Sequence, residues 1–366
     1  LSGIITVTPS ANACNGNPMT FTITVNPIPT VNSIASQVLC NNSSSAAINF
    51  SGTVSGTVYS WTNSNTAINL GNQGNTNIAV FTATNTTNAP ITGNFVVTPS
   101  YTNATGTCPG SSTTFSITVN PTPTVNTIQS QSVCVGSQTT AVSFASAFNV
   151  AGTTYLWTNS NTNIGLAASG TGDISSFIGT NTTSGPITGL ITVTPQITLG
   201  GHTCTGTPQT FNITVNPIPT VQDPANIVLC HNESTSGVNF SGAVSNTTYN
   251  WANTTTSINL GAANSGNITA FVATNPTNTP VTATITVTPV FGSGNGICTG
   301  TSETFTITVN PIPTVDPVSS QSVCVGNLSQ AINFTSTFNV AGTVYEWTNT
   351  NTSIGIQASN TGNISA

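Results

Sequence analysis

Apolar and polar side chains alternate strictly along Phe21-Thr22-Ile23-Thr24-Val25-Asn26, with Phe21, Ile23 and Val25 on one face and Thr22, Thr24 and Asn26 on the other. A period of two marks a strand with one buried face. The scheme returns as Phe115/Ile117/Val119, Phe211/Ile213/Val215 and Phe305/Ile307/Val309. In the first full repeat further strands are predicted over 46–50 (AAINF), 57–61 (TVYSW), 67–70 (AINL), 78–84 (IAVFTAT) and 93–99 (GNFVVTP). Clusters of Asn, Gly, Ser and Pro, which are turn signals, separate these candidates. No stretch shows a convincing helical period.

Each alternating strand runs into a Pro-x-Pro pair: Pro27/Pro29, Pro121/Pro123, Pro217/Pro219 and Pro311/Pro313. The first prolines of the pairs are 94, 96 and 94 residues apart, and Trp61, Trp157, Trp251 and Trp347 are 96, 94 and 96 apart. Two module types therefore alternate, with a super-period of 190 residues. Proline has no N–H to donate to a ladder and stiffens the backbone into an extended path, so the motif reads as a last strand followed by a short rigid linker. The predicted boundaries are 1–29 (the final hairpin of a cut module), 30–123 (first type), 124–219 (second type), 220–313 (first type) and 314–366 (the start of another second-type module). Modules of about 95 residues match the ~100 of an immunoglobulin-type sandwich, so the expectation is an all-β string of sandwiches in an extended rod. Leu1 already lies inside a strand pattern, so both ends read as cuts through a longer protein.

Charge narrows the partners. The chain of 366 residues has no Lys or Arg and six carboxylates. Nucleic acid and anionic membrane surfaces both call for cations to neutralise phosphates. No apolar run approaches the ~18 residues of a membrane-spanning helix. The apolar content is too high for a disordered chain. Trypsin has no cleavage site anywhere.

Eight cysteines fall two to a repeat, a pattern that reads as an oxidised, extracellular framework. One connectivity stays within modules: Cys40–Cys108, Cys134–Cys204 and Cys230–Cys298, with Cys14 and Cys324 pairing outside the segment. The other crosses the linkers: Cys14–Cys40, Cys108–Cys134, Cys204–Cys230 and Cys298–Cys324. A strand of about seven residues, roughly 23 Å, carries the chain away from Cys14 before the linker begins, and a disulfide needs Cα atoms within ~7 Å. That geometry favours pairing within modules. The Tyr-x-Trp elements (Tyr59/Trp61, Tyr155/Trp157, Tyr249/Trp251, Tyr345/Trp347) use every tryptophan. Trp stands 47 residues before the second cysteine in each full module. A core tryptophan near the disulfide is the favoured reading, and an aromatic platform for sugars is its competitor.

Little else suggests chemistry. His202 and His231, with Cys204 and Cys230, could form a Cys2His2 zinc site, but the spacing matches no standard finger and the histidines do not recur. Asp173, Asp223, Glu233, Glu303, Asp316 and Glu346 are too scattered for a calcium loop or an evident acid–base pair. Asn-x-Ser/Thr sequons at Asn85, Asn181 and Asn212 are what an Asn- and Thr-rich chain produces by chance. No catalytic residue, metal or cofactor is expected, and the chain is not expected to be an enzyme.

The repeated segments "VCVG", "YxWTN", "IGLAASGTG", "FxATN", "ITVTP" and "CTGTPQTFNITVNPIPTV" resemble the PKD-like repeats of giant Bacteroidota cell-surface proteins, of which the gliding adhesin SprB is an example. The resemblance spans every repeat, although the "WDFGDG" pattern of animal PKD domains is absent. It implies PKD-like, immunoglobulin-like sandwiches in a very long cell-surface protein exported by type IX secretion. The leading expectation is a stalk of a surface adhesin, serving gliding motility or attachment. The alternative is a segment of a self-assembling extracellular filament or sheath, and a carbohydrate-binding module ranks third. Expected partners are neighbouring modules, identical chains laterally in a fibre, and surface polysaccharide.

Overall fold

The computed structural model describes residues 1–366, apart from the side chain of Asn295. The chain is all-β, built as tandem immunoglobulin-like sandwiches. Three six-stranded sheets follow one another along it, with the same strand order. In the first, the edge strand Gln37–Cys40 is followed across the sheet by Thr113–Asn120, Ile91–Asn103, Val58–Asn63 and Gln73–Gly74. The edge strand runs parallel to its neighbour, pairing Gln37 with Ile117, and the other pairings are antiparallel. The short strand Gly106–Pro109 folds back on the outer half of Ile91–Asn103, with Cys108 opposite Tyr101.

The opposing layer is looser. Segments 43–51 and 76–84 meet through isolated pairs, Ser44 with Thr82 and Ile48 with Ile78, and the Asn32 N–H donates to Ser51 O at 2.8 Å. The expected strands at 46–50 and 78–84 are thus extended chain in the second layer rather than continuous ladders. The expected strand at 67–70 is corrected to a single 3-10 turn, Thr66–Ile68. Asn65 caps its start by accepting from the Ala67 N–H, and Asn69 ends it in the left-handed conformation that Asn tolerates. Ile68 at the centre of that turn is fully buried, so the turn plugs one end of the sandwich.

Alternation decides the core. Phe115, Ile117 and Val119 face inward at 5%, 0% and 0% exposure and pack with Phe95, Val97 and Trp61. Burial of each contributes about 1.5–3 kcal/mol. Equivalent cores form around Phe211, Ile213 and Val215 and around Phe305, Ile307 and Val309. At the N-terminal end, Ser2–Val7 pairs with Met19–Thr24, and Phe21 is 50% exposed because no opposing layer covers that hairpin in this chain.

The long strand measures the module. Ile91–Asn103 has 13 residues, about 43 Å at ~3.3 Å each. Ile91 lies opposite Val119 at one end, and Asn103 meets the preceding module at the other.

Candidate functional site at the module junctions

Each closing strand ends in Asn-Pro, and in three of the four the asparagine works across the joint. Asn120 is 1% exposed, and its Nδ2 donates to Leu199 O at 3.1 Å, in the hairpin of the next module. Asn216 donates likewise to Gly296 O at 2.7 Å, and Asn26 donates to Asn103 Oδ1 at 3.1 Å. Pro121 and Pro123 are buried, as are Pro29, Pro217, Pro219 and Pro311, whereas Pro27 and Pro313 are exposed. The carbonyl of Pro123 lies so close to Gly206 that any Cβ there would overlap it. The pairs Pro29/Gly110 and Pro219/Gly300 repeat this contact. Six of the eight linker prolines are therefore packed into junctions rather than spanning water.

The disulfides lie at the same joints. Cys40 bonds Cys204 and Cys134 bonds Cys298, each with Cα atoms 5.5 Å apart and 164 residues apart in sequence. This overturns the expected pairing within modules: neither Cys40–Cys108, nor Cys134–Cys204, nor Cys230–Cys298 forms. The physical reason is the length of the sandwich. Cys40 sits opposite Asn120 at one end of its module, while Cys108 sits opposite Tyr101, ten residues along the long strand from Ile91 at the Cys40 end. That separation is about 33 Å, far beyond disulfide reach. The hairpin of the following module brings Cys204 to Cys40 instead. Val150, Ile197 and Leu199 close an apolar cluster around the bond. Cys14, Cys108, Cys230 and Cys324 are unbonded.

Trp61, Trp157 and Trp251 lie in the three cores at 6–8% exposure, away from the disulfides. Trp61 Nε1 donates to Thr76 O at 2.9 Å, while the Nε1 atoms of Trp157 and Trp251 have no partner among the described residues. Tyr59 tilts against Phe50 with ring centroids 5.8 Å apart, and Tyr155 and Tyr249 do the same against Phe144 and Phe240. Burial pushes the Tyr155 phenol up, and the Asp173 carboxylate adds to the shift. In the C-terminal segment Trp347 and Tyr345 are half-buried, with Tyr345 tilted on Phe334. Buried indoles cannot serve as a sugar platform.

The residues best suited to chemistry stand in for amides. Asp173 accepts from the Phe144 N–H at 2.8 Å, where Asn77 and Asn267 accept from Phe50 and Phe240 in the neighbouring modules. His231 Nδ1 accepts from the Asn275 N–H at 2.9 Å, the role Asn41 plays toward Asn85. His202 is exposed, and Cys204 is consumed in a disulfide, so the Cys2His2 zinc set does not assemble. Among the described residues no group of three His, Cys, Asp or Glu could hold a metal. The amide of Asn85, 2% exposed, is spent on Ala89 O and Val119 O, which closes that sequon.

Two sequence signals mark the junction. Cys-x-Gly (Cys108-Pro109-Gly110, Cys204-Thr205-Gly206, Cys298-Thr299-Gly300) marks the close approach to the linker carbonyl. In addition, the first proline of each pair stands 13 residues after one cysteine and 13 before the next.

No family model matches the chain, and no curated protein matches it. Among solved structures it is similar to mouse cadherin-23 repeats EC22-24, at 10% identity and TM-score 0.32, over 78% of this chain and 100% of that one. It is also similar to the human desmocollin-1 ectodomain, at 10% identity and TM-score 0.30, over 99% and 79%. The N-terminal eight Ig domains of Down syndrome cell adhesion molecule align at 12% identity and TM-score 0.45, over 85% and 40%.

Proposed function

We propose that this chain is a stalk segment of a very long extracellular surface adhesin, with modules at 30–123, 124–219 and 220–313 between partial ones at 1–29 and 314–366. The observation that carries the reading is the junction. At the joints around Pro121 and Pro217 the residues that recur, Asn-Pro-x-Pro, Cys and Cys-x-Gly, hold one module on the next. Disulfides persist in oxidising surroundings outside the cytoplasm, which suits a cell-surface setting. The Bacteroidota resemblance adds type IX export and a role in gliding or attachment. In that setting a tip beyond this segment would meet the surface or its polysaccharide.

The edges of the sheets favour a stalk over a laterally assembled sheath. Edge strands are commonly protected by charge, which this chain lacks, or by being short. Here the outermost strands have four residues at Gln37–Cys40 and two at Gln73–Gly74, too short to template a neighbouring chain. X-ray scattering of the purified chain tests the reading. Its maximum dimension should grow by about 43 Å per module, and deleting 124–313 should remove about 86 Å. A compact particle, or lateral bundles whose width grows with concentration, would overturn it.

A further inference from the structure

The two disulfides do more than close joints. Followed through covalent bonds alone, the cysteines sort into two series. One runs from Cys14 along the chain to Cys40, across the bond to Cys204, and along the chain to Cys230. The other runs from Cys108 to Cys134, across to Cys298, and on to Cys324. All eight cysteines belong to one series or the other, and the four unbonded ones stand at the outer ends.

Each of the four segments linking successive cysteines is 26 residues long, with the linker proline at its midpoint. None contains a turn or a helix, and no residue within 14–40, 108–134, 204–230 or 298–324 has positive φ. Every left-handed residue lies outside these segments. Each half-segment of 13 residues crosses one module, the same count as the strand Ile91–Asn103 that measures a module's length. The segments are thus almost fully extended in the native fold, since a chain reaches at most ~3.3–3.6 Å per residue.

We propose that the disulfides reroute tension: a load along the fibre is carried by two parallel covalent rails made of these extended segments, and the sandwich bodies lie between the rails outside the load path. An ordinary tandem array lengthens under force as its modules unfold one by one. On the first rail residues 41–203 are bypassed by the Cys40–Cys204 bond, and on the second residues 135–297 by the Cys134–Cys298 bond, so unfolding a body releases no length along either rail. The fibre is inextensible while oxidised and extensible when reduced. Pro-x-Pro fits this role because it holds the middle of each segment extended without needing a ladder partner. The inference deepens the stalk reading, which supplies the load.

Single-molecule pulling of the full chain tests it, with click-reactive residues replacing the exposed Ser33 and Ser236 as handles. The rail between them runs 33–40 and 204–236, about 130–140 Å at full stretch, against about 110 Å at most for the half module and two whole modules it crosses at ~43 Å each. The oxidised chain should therefore show no module-sized steps up to the rupture force of the tether. After reduction the same handles should separate in steps toward about 670–730 Å, and in Cys40→Ser/Cys204→Ser, where the Cys134–Cys298 bond still shortens the path, toward about 540–590 Å. Circular dichroism of the double variant checks that its sheets remain. A thiol count of four before pulling is expected, and eight would overturn the proposal. Module-sized steps from the unsubstituted chain with four thiols would overturn it too. The native length measured by scattering at zero force is independent of either result, so failure of the rails and failure of the stalk are read separately.

Discussion

Neutral amides do the work here that ion pairs do in most proteins, and the exceptions show what the position demands. Asp316 accepts the Thr337 N–H at 3.0 Å and the hydroxyls of Thr335 and Thr337, at the place where Asn126 accepts the Ala147 N–H one super-period earlier. The backbone hydrogen bond from Thr337 is the main cause that holds the Asp316 carboxyl below the usual aspartate range. A depressed folded value means stabilisation that is present above the unfolded value and lost as pH falls through the folded one. The carboxyl carbon of Asp316 should titrate by NMR at a lower pH than a free aspartate, and the Thr337 amide shift should follow the same curve. In Asp316→Asn the Thr337 shift should become flat with acid, as an amide does not titrate. A titration of Thr337 that persists in the variant would assign the effect to another group.

Between strands, the joints are where sequence economy is greatest. Gly206 matters not for a left-handed backbone but for the space taken by Pro123 O. Gly206→Ala should force the linker off the hairpin and cost about 1–3 kcal/mol, as overpacking does. The loss should appear as faster amide exchange at Leu199 and Cys204, with the core amides of Ile213 and Val215 unchanged. Equal losses in core and joint would mean that the glycine supports the sandwich rather than the junction. The single 3-10 turn at Thr66–Ile68 also belongs here. Its AINL sequence alternates as a strand would, but the Asn65 cap and the left-handed Asn69 bend it, which a period-of-two reading does not register.

Along the whole chain, each staple closes a loop of about 165 residues, which in the chain-entropy model is worth about 5 kcal/mol per bond. The pairing rule is directional: the first cysteine of a module takes the second cysteine of the next. Peptide mapping under non-reducing conditions should recover Cys40 with Cys204 and Cys134 with Cys298. Where oxidised glutathione joins copies of the chain, each new bond reduces one molecule of it to two thiols. Those links should be Cys230 with Cys14 and Cys324 with Cys108, the pairs that extend each rail. Recovery of Cys40 with Cys108 would restore pairing within modules and remove the rails.

The repeat, its closing strands and their inward faces were determined by the sequence by itself, because alternation is a local property: Phe115, Ile117 and Val119 face inward wherever that strand forms. The all-β sandwich class follows from the same periodicity. The tertiary structure alone decided which cysteines meet. Cys40 and Cys108 belong to one module and are separated by its length, whereas Cys40 and Cys204 belong to two modules and touch because those modules stack end to end. Closeness in sequence, even within one folded unit, says nothing of closeness in space when the unit is a rigid rod about 43 Å long. The same distinction separates the readable Pro-x-Pro motif from its unreadable burial: φ is a property of the residue, and the carbonyl seated on Gly206 is a property of the joint.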